Sequence, residues 1–145
     1  MQLEQYLKER VDDQITWYNK NSSNNKFYYV TTKVVLTISA AIIPVLTAYM
    51  DNNIVIKISI GVLSVLMAIL ANINGIFRFK ENWLQYRNTC ELLQIEKQLY
   101  LAVAGKYKNS KDKDSLFVET IEGLLKNEKR QWQETFNTGK ETENK

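Results

Sequence analysis

The sequence predicts an all-α membrane protein built on a two-helix transmembrane hairpin, with N-terminal and C-terminal cytoplasmic amphipathic helices. Three observations predict it. No charged residue occurs from Val34 to Met50, none occurs from Ile58 to Phe77, and the short polar stretch Asp51-Asn52-Asn53 separates the two runs. The whole-chain average conceals this pattern, because a charged fraction of 24% with a negative mean hydropathy is ordinary for a soluble protein. Almost all of that charge lies in the two flanks.

At 145 residues the chain has room for a single domain. One domain is expected over 1–136, with a cytoplasmic helix and loop over 1–26 and spans over 34–50 and 54–77. Cytoplasmic helices are expected over 78–104 and 115–136, and a disordered polar tail over 137–145. Leu3, Leu7, Val11 and Tyr18 share one side of the first helix, and Asn21-Ser22-Ser23-Asn24-Asn25 is expected to interrupt it as a loop, a continuous helix being the alternative.

The first span has about 17 uncharged residues, the lower limit for crossing a bilayer. Phe27, Tyr28 and Tyr29 supply aromatic rings at its entry, where headgroups lie. The second span has about 20 uncharged residues, with Lys57 at its outer end, where a long side chain can snorkel to water. A connection this short makes the two helices antiparallel neighbours. Lys20, Lys26 and Lys33 precede the first span, and Arg78, Lys80 and Arg87 follow the second. The positive-inside rule therefore places both termini in the cytoplasm, with Lys57 as the opposing vote.

Small and polar residues stripe both spans. Gly61, Ser64, Ala68, Ala71, Asn72 and Gly75 recur at three- and four-residue spacing in the second, and Thr37, Ala40, Ala41, Pro44, Thr47 and Ala48 in the first. Such stripes allow close helix approach, and Pro44 is expected to kink its helix near mid-membrane. One reading is that they pack the hairpin against itself or against a copy. The other is that Thr37, Pro44, Thr47, Ser64, Asn72, Asn74 and Gly75 line a water-filled path in a homo-oligomer.

After the second span, Phe79, Trp83, Tyr86, Cys90, Leu93, Lys97, Tyr100 and Ala104 form an amphipathic face, expected to continue that span into the cytoplasm. Gly105 closes this helix, and a last helix is expected from Ser115 with Asp114 as its cap. Its apolar face is Phe117, Ile121, Leu124, Leu125 and Trp132, and Glu122 and Lys126 are spaced to pair on its wet side.

The chain has no histidine and one cysteine, which removes zinc constellations, a histidine base and an internal disulfide. Cys90 reads as a small buried hydrophobe. Isolated glycines make no phosphate loop. No catalytic, cofactor or metal-binding residues are assigned, an enzyme is not expected, and the slight, scattered positive charge argues against nucleic acid. The polar N-terminus carries no secretory signal, so the apolar runs are expected to persist in the mature chain.

Three ordered motifs carry a family resemblance. They are Tyr6-Leu7-Lys8-Glu9-Arg10 through Gln14, Trp17 and Tyr18; Glu81-Asn82-Trp83-Leu84-Gln85-Tyr86-Arg87 through Glu91, Glu96, Tyr100, Gly105 and Tyr107; and Leu116-Phe117-Val118-Glu119 through Leu124, Leu125, Glu128 and Trp132. They resemble the SLATT superfamily, the SMODS and SLOG-associating two-transmembrane effector domains, and most closely its group described as a bacterial domain of unknown function. The resemblance runs from Tyr6 to Trp132. It implies a multi-pass protein of the bacterial inner membrane, in contact with the lipid bilayer, acting as a pore-forming or membrane-perturbing effector in defence. Two helices cannot enclose a channel, so a pore requires a homo-oligomer, with ions as what passes through it. The resemblance brings no catalytic residues. The alternative is a non-conducting scaffold or sensor whose cytoplasmic surface, with Trp83, Tyr86, Arg87, Glu91 and Trp132 as candidates, binds a partner or ligand. Arg87 is placed to pair with Glu91 one turn on, or with Asp12 or Asp13 of the first helix.

Overall fold

A computed structural model describes residues 3–49 and 53–143. Every regular element among them is helical. A short helix α1 (Leu3–Tyr6) passes into a six-residue π-helical segment (Leu7–Asp12) and then into α2 (Asp13–Ala48). Helices α3 (Ile54–Phe77) and α4 (Phe79–Leu101) follow, then a 3-10 turn (Gly105–Tyr107) and α5 (Lys113–Glu143). The chain divides into two compact units, Asn21–Leu84 and the combination of Met1–Lys20 with Gln85–Lys145.

In the Asn21–Leu84 unit, α2 and α3 each contain a stretch long and apolar enough to cross a membrane. The 21–25 segment is not a loop: α2 runs through it unbroken. Weak helix propensity is overridden because the polar side chains find partners. Asn25 Nδ2 donates to the Asn21 carbonyl at 2.8 Å, and buried Ser22 donates its hydroxyl to the Trp83 carbonyl at 3.3 Å. Pro44 is likewise contained within α2.

Shielded positions on both helices recur at alternating three- and four-residue spacing. They are Leu36, Ser39, Ile43 and Leu46 on α2, and Ile56, Ile60, Leu63, Met67, Leu70 and Asn74 on α3. This is the periodicity of helices packed lengthwise along one seam. The remaining faces are uncovered: Val34, Ile38, Val45, Val55, Val62, Val65 and Leu66 are each at least half exposed, and α3 has no buried residue. A core helix of a soluble bundle hides most of such side chains.

Of the Asp51-Asn52-Asn53 turn, Asp51 and Asn52 lie outside the described residues. Asn53 caps α3, its Oδ1 accepting from Val55 N at 3.0 Å and Ile56 N at 3.4 Å. The far end of α3 departs from expectation. It does not run on into the amphipathic helix, because Arg78 adopts a left-handed conformation (φ 47°, ψ 43°) and breaks the two apart. Asn82 Nδ2 then donates to the freed Phe77 carbonyl at 3.0 Å.

The second unit has its own core of Tyr6, Val11, Tyr18, Cys90, Leu93, Tyr100, Tyr107, Phe117 and Ile121. The π-helical segment stacks residues five apart, which lets Tyr6 and Val11 both point inward. Phe117 is central, with the Tyr100 ring stacked at 4.4 Å and Tyr107 and Tyr6 edge-on at 6.1 and 6.4 Å. Each buried tyrosine hydroxyl donates to a carboxylate: Tyr6 to Glu122 at 3.0 Å, Tyr18 to Glu128 at 3.1 Å, Tyr100 to Asp114 at 2.8 Å and Tyr107 to Glu96 at 2.7 Å.

These bonds revise three sequence expectations. Glu122 does not pair with Lys126; Arg10 Nε and Nη2 donate to it at 3.1 and 3.2 Å. Asp114 serves Tyr100, and Asp112 caps α5 by accepting from Ser115 N at 3.0 Å, so the helix starts at Lys113. Helix α4 ends before Gly105, at a Schellman closure in which Ala104 N donates to Leu99 O at 2.9 Å and Val103 N to Tyr100 O at 3.1 Å. The α5 backbone stays helical through Glu143, where a disordered tail was expected from Asn137; Asn144 and Lys145 lie outside the described residues.

Candidate functional site

The polar residues of the apolar helices satisfy themselves locally. Thr37 donates to Lys33 O, Thr47 to Ile43 O, Ser64 to Ile60 O and Asn72 Nδ2 to Ala68 O, each at 2.8 Å and each one turn back. Bonds to the helix's own carbonyls lower the cost of placing the three hydroxyls in an apolar medium, whereas Asn72 commits only one amide N–H in this way.

None of the small-residue positions lies on the seam between α2 and α3. Thr37, Pro44, Thr47, Ser64, Asn72 and Gly75 are all exposed, as are Ala40, Ala41, Ala68 and Ala71. A Cβ placed on Gly61 or Gly75 would meet no atom within 4 Å. Apart from Ser39 and Asn74, large apolar residues make the seam, and the striped small residues are exposed, with Gly75 bordering the cleft described below.

Asn74 differs, being half-buried and lining an open cleft of about 390 Å³ with Tyr29, Lys33, Gly75, Arg78, Lys80 and Glu81. This cleft sits where the apolar run of α2 begins and α3 ends. Nearby rings crowd the same level, with Tyr28 against Phe79 at 5.6 Å and Tyr29 stacked on Trp83 at 6.4 Å. The Lys26 ammonium lies 5.6 Å from the Trp83 ring centre.

The candidates for an interaction surface are divided between the two units. Trp83 belongs to the apolar unit through Tyr29 and Ser22. Tyr86 belongs to the other, edge-on to Trp17 at 5.6 Å and beside Tyr18 at 6.0 Å, its hydroxyl pKa raised by burial and by the Glu128 charge. Arg87 pairs with Glu91 at 2.7 Å on the exposed surface of α4, while Asp12 takes Lys97 instead. An exposed pair of this kind contributes little to stability. Trp132 lies outside the described side chains. Cys90 is fully buried, its Sγ 3.6 Å from the Ile15 carbonyl, and burial raises the thiol pKa. Among the described residues, no cluster of three or more His, Cys, Asp or Glu side chains could hold a metal.

Sequence reasoning missed the tyrosine–carboxylate pairs, because Tyr6 and Glu122 are 116 positions apart and periodicity reports only local neighbours. It counted Lys33, Arg78 and Lys80 as topology signals without seeing that they share a cleft.

No curated protein and no solved structure matches this chain. A family described as "Protein of unknown function (DUF4231)" matches residues 13–115, which include both apolar helices, the cleft and all of α4. The chain belongs to the DUF4231 family.

Proposed function

We propose that the protein is a bacterial inner-membrane protein whose α2 and α3 cross the bilayer as a hairpin with both termini cytoplasmic. We further propose that several copies associate through the outward small-residue faces into a channel-like pore, as the SLATT resemblance implies. The observation that carries this reading is the exposure of the Gly61, Ser64, Ala68, Ala71, Asn72 and Gly75 stripe on a helix whose seam with α2 is built from other residues. In lipid, association depends on close backbone approach, and small residues provide it. Two helices cannot enclose a path, so conduction requires an oligomer.

The local hydrogen bonds of Thr37, Thr47 and Ser64 support a second reading, a non-conducting scaffold or sensor, because these hydroxyl donors need no water. Flux separates the two. Purified protein in liposomes is expected to release a trapped ion or dye, and Asn72→Leu to change the rate. Absence of flux at every protein density, with insertion verified, would leave the scaffold reading standing.

A further inference from the structure

We infer that the cleft at the cytoplasmic end of the apolar stretches of α2 and α3 binds the phosphate of an anionic glycerophospholipid. This inference rests on the membrane placement proposed above. Val34, the first residue of the apolar run, follows Lys33 directly, and α3 ends at Phe77, immediately before Arg78. The cleft thus opens at the level where headgroups meet hydrocarbon, with the exposed Ile76 and Phe77 side chains beside it to accompany acyl chains.

Its charge is one-sided. Lys33, Arg78 and Lys80 line it against a single carboxylate, Glu81. None of the three cations forms an ion pair among the described residues, whereas Arg10, Arg87, Lys97 and Lys106 are each held by a carboxylate. The Lys33 ammonium lies 6.0 Å from the Tyr29 ring centre, the kind of aromatic that favours this depth. Arg78 occupies a left-handed position where glycine is the least strained residue, so the chain carries a guanidinium at the site despite the backbone. A guanidinium binds phosphate oxygens in bidentate fashion. The C-terminal carbonyls of α3 oppose an anion with about half a charge, less than the cationic excess of the lining, and Asn82 already occupies the Phe77 carbonyl.

Native mass spectrometry of the full chain released from mixed phosphatidylglycerol and phosphatidylcholine nanodiscs tests this. The wild type is expected to retain phosphatidylglycerol preferentially. Arg78→Gly, which removes the charge while relieving the backbone, and Lys33→Gln should each reduce retention roughly fivefold. Arg78→Lys should keep most of it, and Lys57→Gln, at the other end of α3, all of it. Retention by Arg78→Gly and Lys33→Gln equal to wild type would overturn the inference. So would displacement of the lipid by excess inorganic phosphate, which would assign the cleft to a soluble phosphate. Failure of the wild type to enter nanodiscs would instead overturn the membrane placement, a distinct result read from co-elution.

Discussion

At the scale of single residues, the unit formed by residues 1–20 and 85–145 is held by buried tyrosines whose hydroxyls are tied to carboxylates. Burial, then the bond to the partner carboxylate, pushes Tyr100 and Tyr107 up to about 12. A raised acid is favoured in its neutral form by the folded state. Its stabilisation is therefore complete below the ordinary tyrosine value of about 10 and disappears as pH rises through about 12. Glu122 behaves oppositely. The hydrogen bond from Arg10 holds it below 4.5, so its contribution is present above that value and fades as pH falls through the lowered one. Chemical denaturation followed by far-UV circular dichroism should show a plateau at neutral pH with a decline above pH 10. Phe117, against which three of the tyrosine rings pack, is fully buried. Phe117→Ala should cost about 3–5 kcal/mol in the same assay. Cys90 was legible in the sequence as a buried hydrophobe because Tyr86, four residues before it, and Leu93, three after, share its helix face. Glu122, Glu128, Glu96 and Asp114 were not, since a carboxylate on a solvated helix looks the same whether or not a tyrosine reaches it.

At the scale of elements, the long helices were legible and their ends were not. The apolar runs marked the bodies of α2 and α3, because hydrophobicity is a sum over many positions and tolerates local exceptions. Breaks depend on single conformations instead. Arg78 and Val103 both take positive φ, at 47° and 49°, where a β carbon crowds the following carbonyl. Neither residue type announces a helix end, so a continuous helix from the second span and a stop at Gly105 were the natural readings. Val103 is β-branched and 44% exposed, so it loses little packing when replaced. Val103→Gly should stabilise the protein by about 0.5–1 kcal/mol, the relief of strain exceeding the added entropy of the unfolded chain. A raised thermal midpoint checks this. Asn21 to Asn25 failed as a loop for the reverse reason, since low intrinsic helix propensity is a small term beside the bonds made by Ser22 and Asn25.

At the scale of the molecule, two compact units with opposite surfaces share one chain. One has a conventional buried core, and the other presents apolar side chains outward along two long helices. This contrast was visible in the distribution of charge. The direction of the small-residue stripes was not, because spacing alone does not say which face of a helix meets its neighbour.

The membrane hairpin is tested most directly by cysteine accessibility in intact cells, using single-cysteine variants in a Cys90→Ala background and a membrane-impermeant maleimide. Ile54→Cys, beside the Asn53 cap, should label from outside. Lys111→Cys, in the loop between α4 and α5, should label only after permeabilisation. Labelling of Lys111→Cys in intact cells, or protection of Ile54→Cys until lysis, would contradict the arrangement.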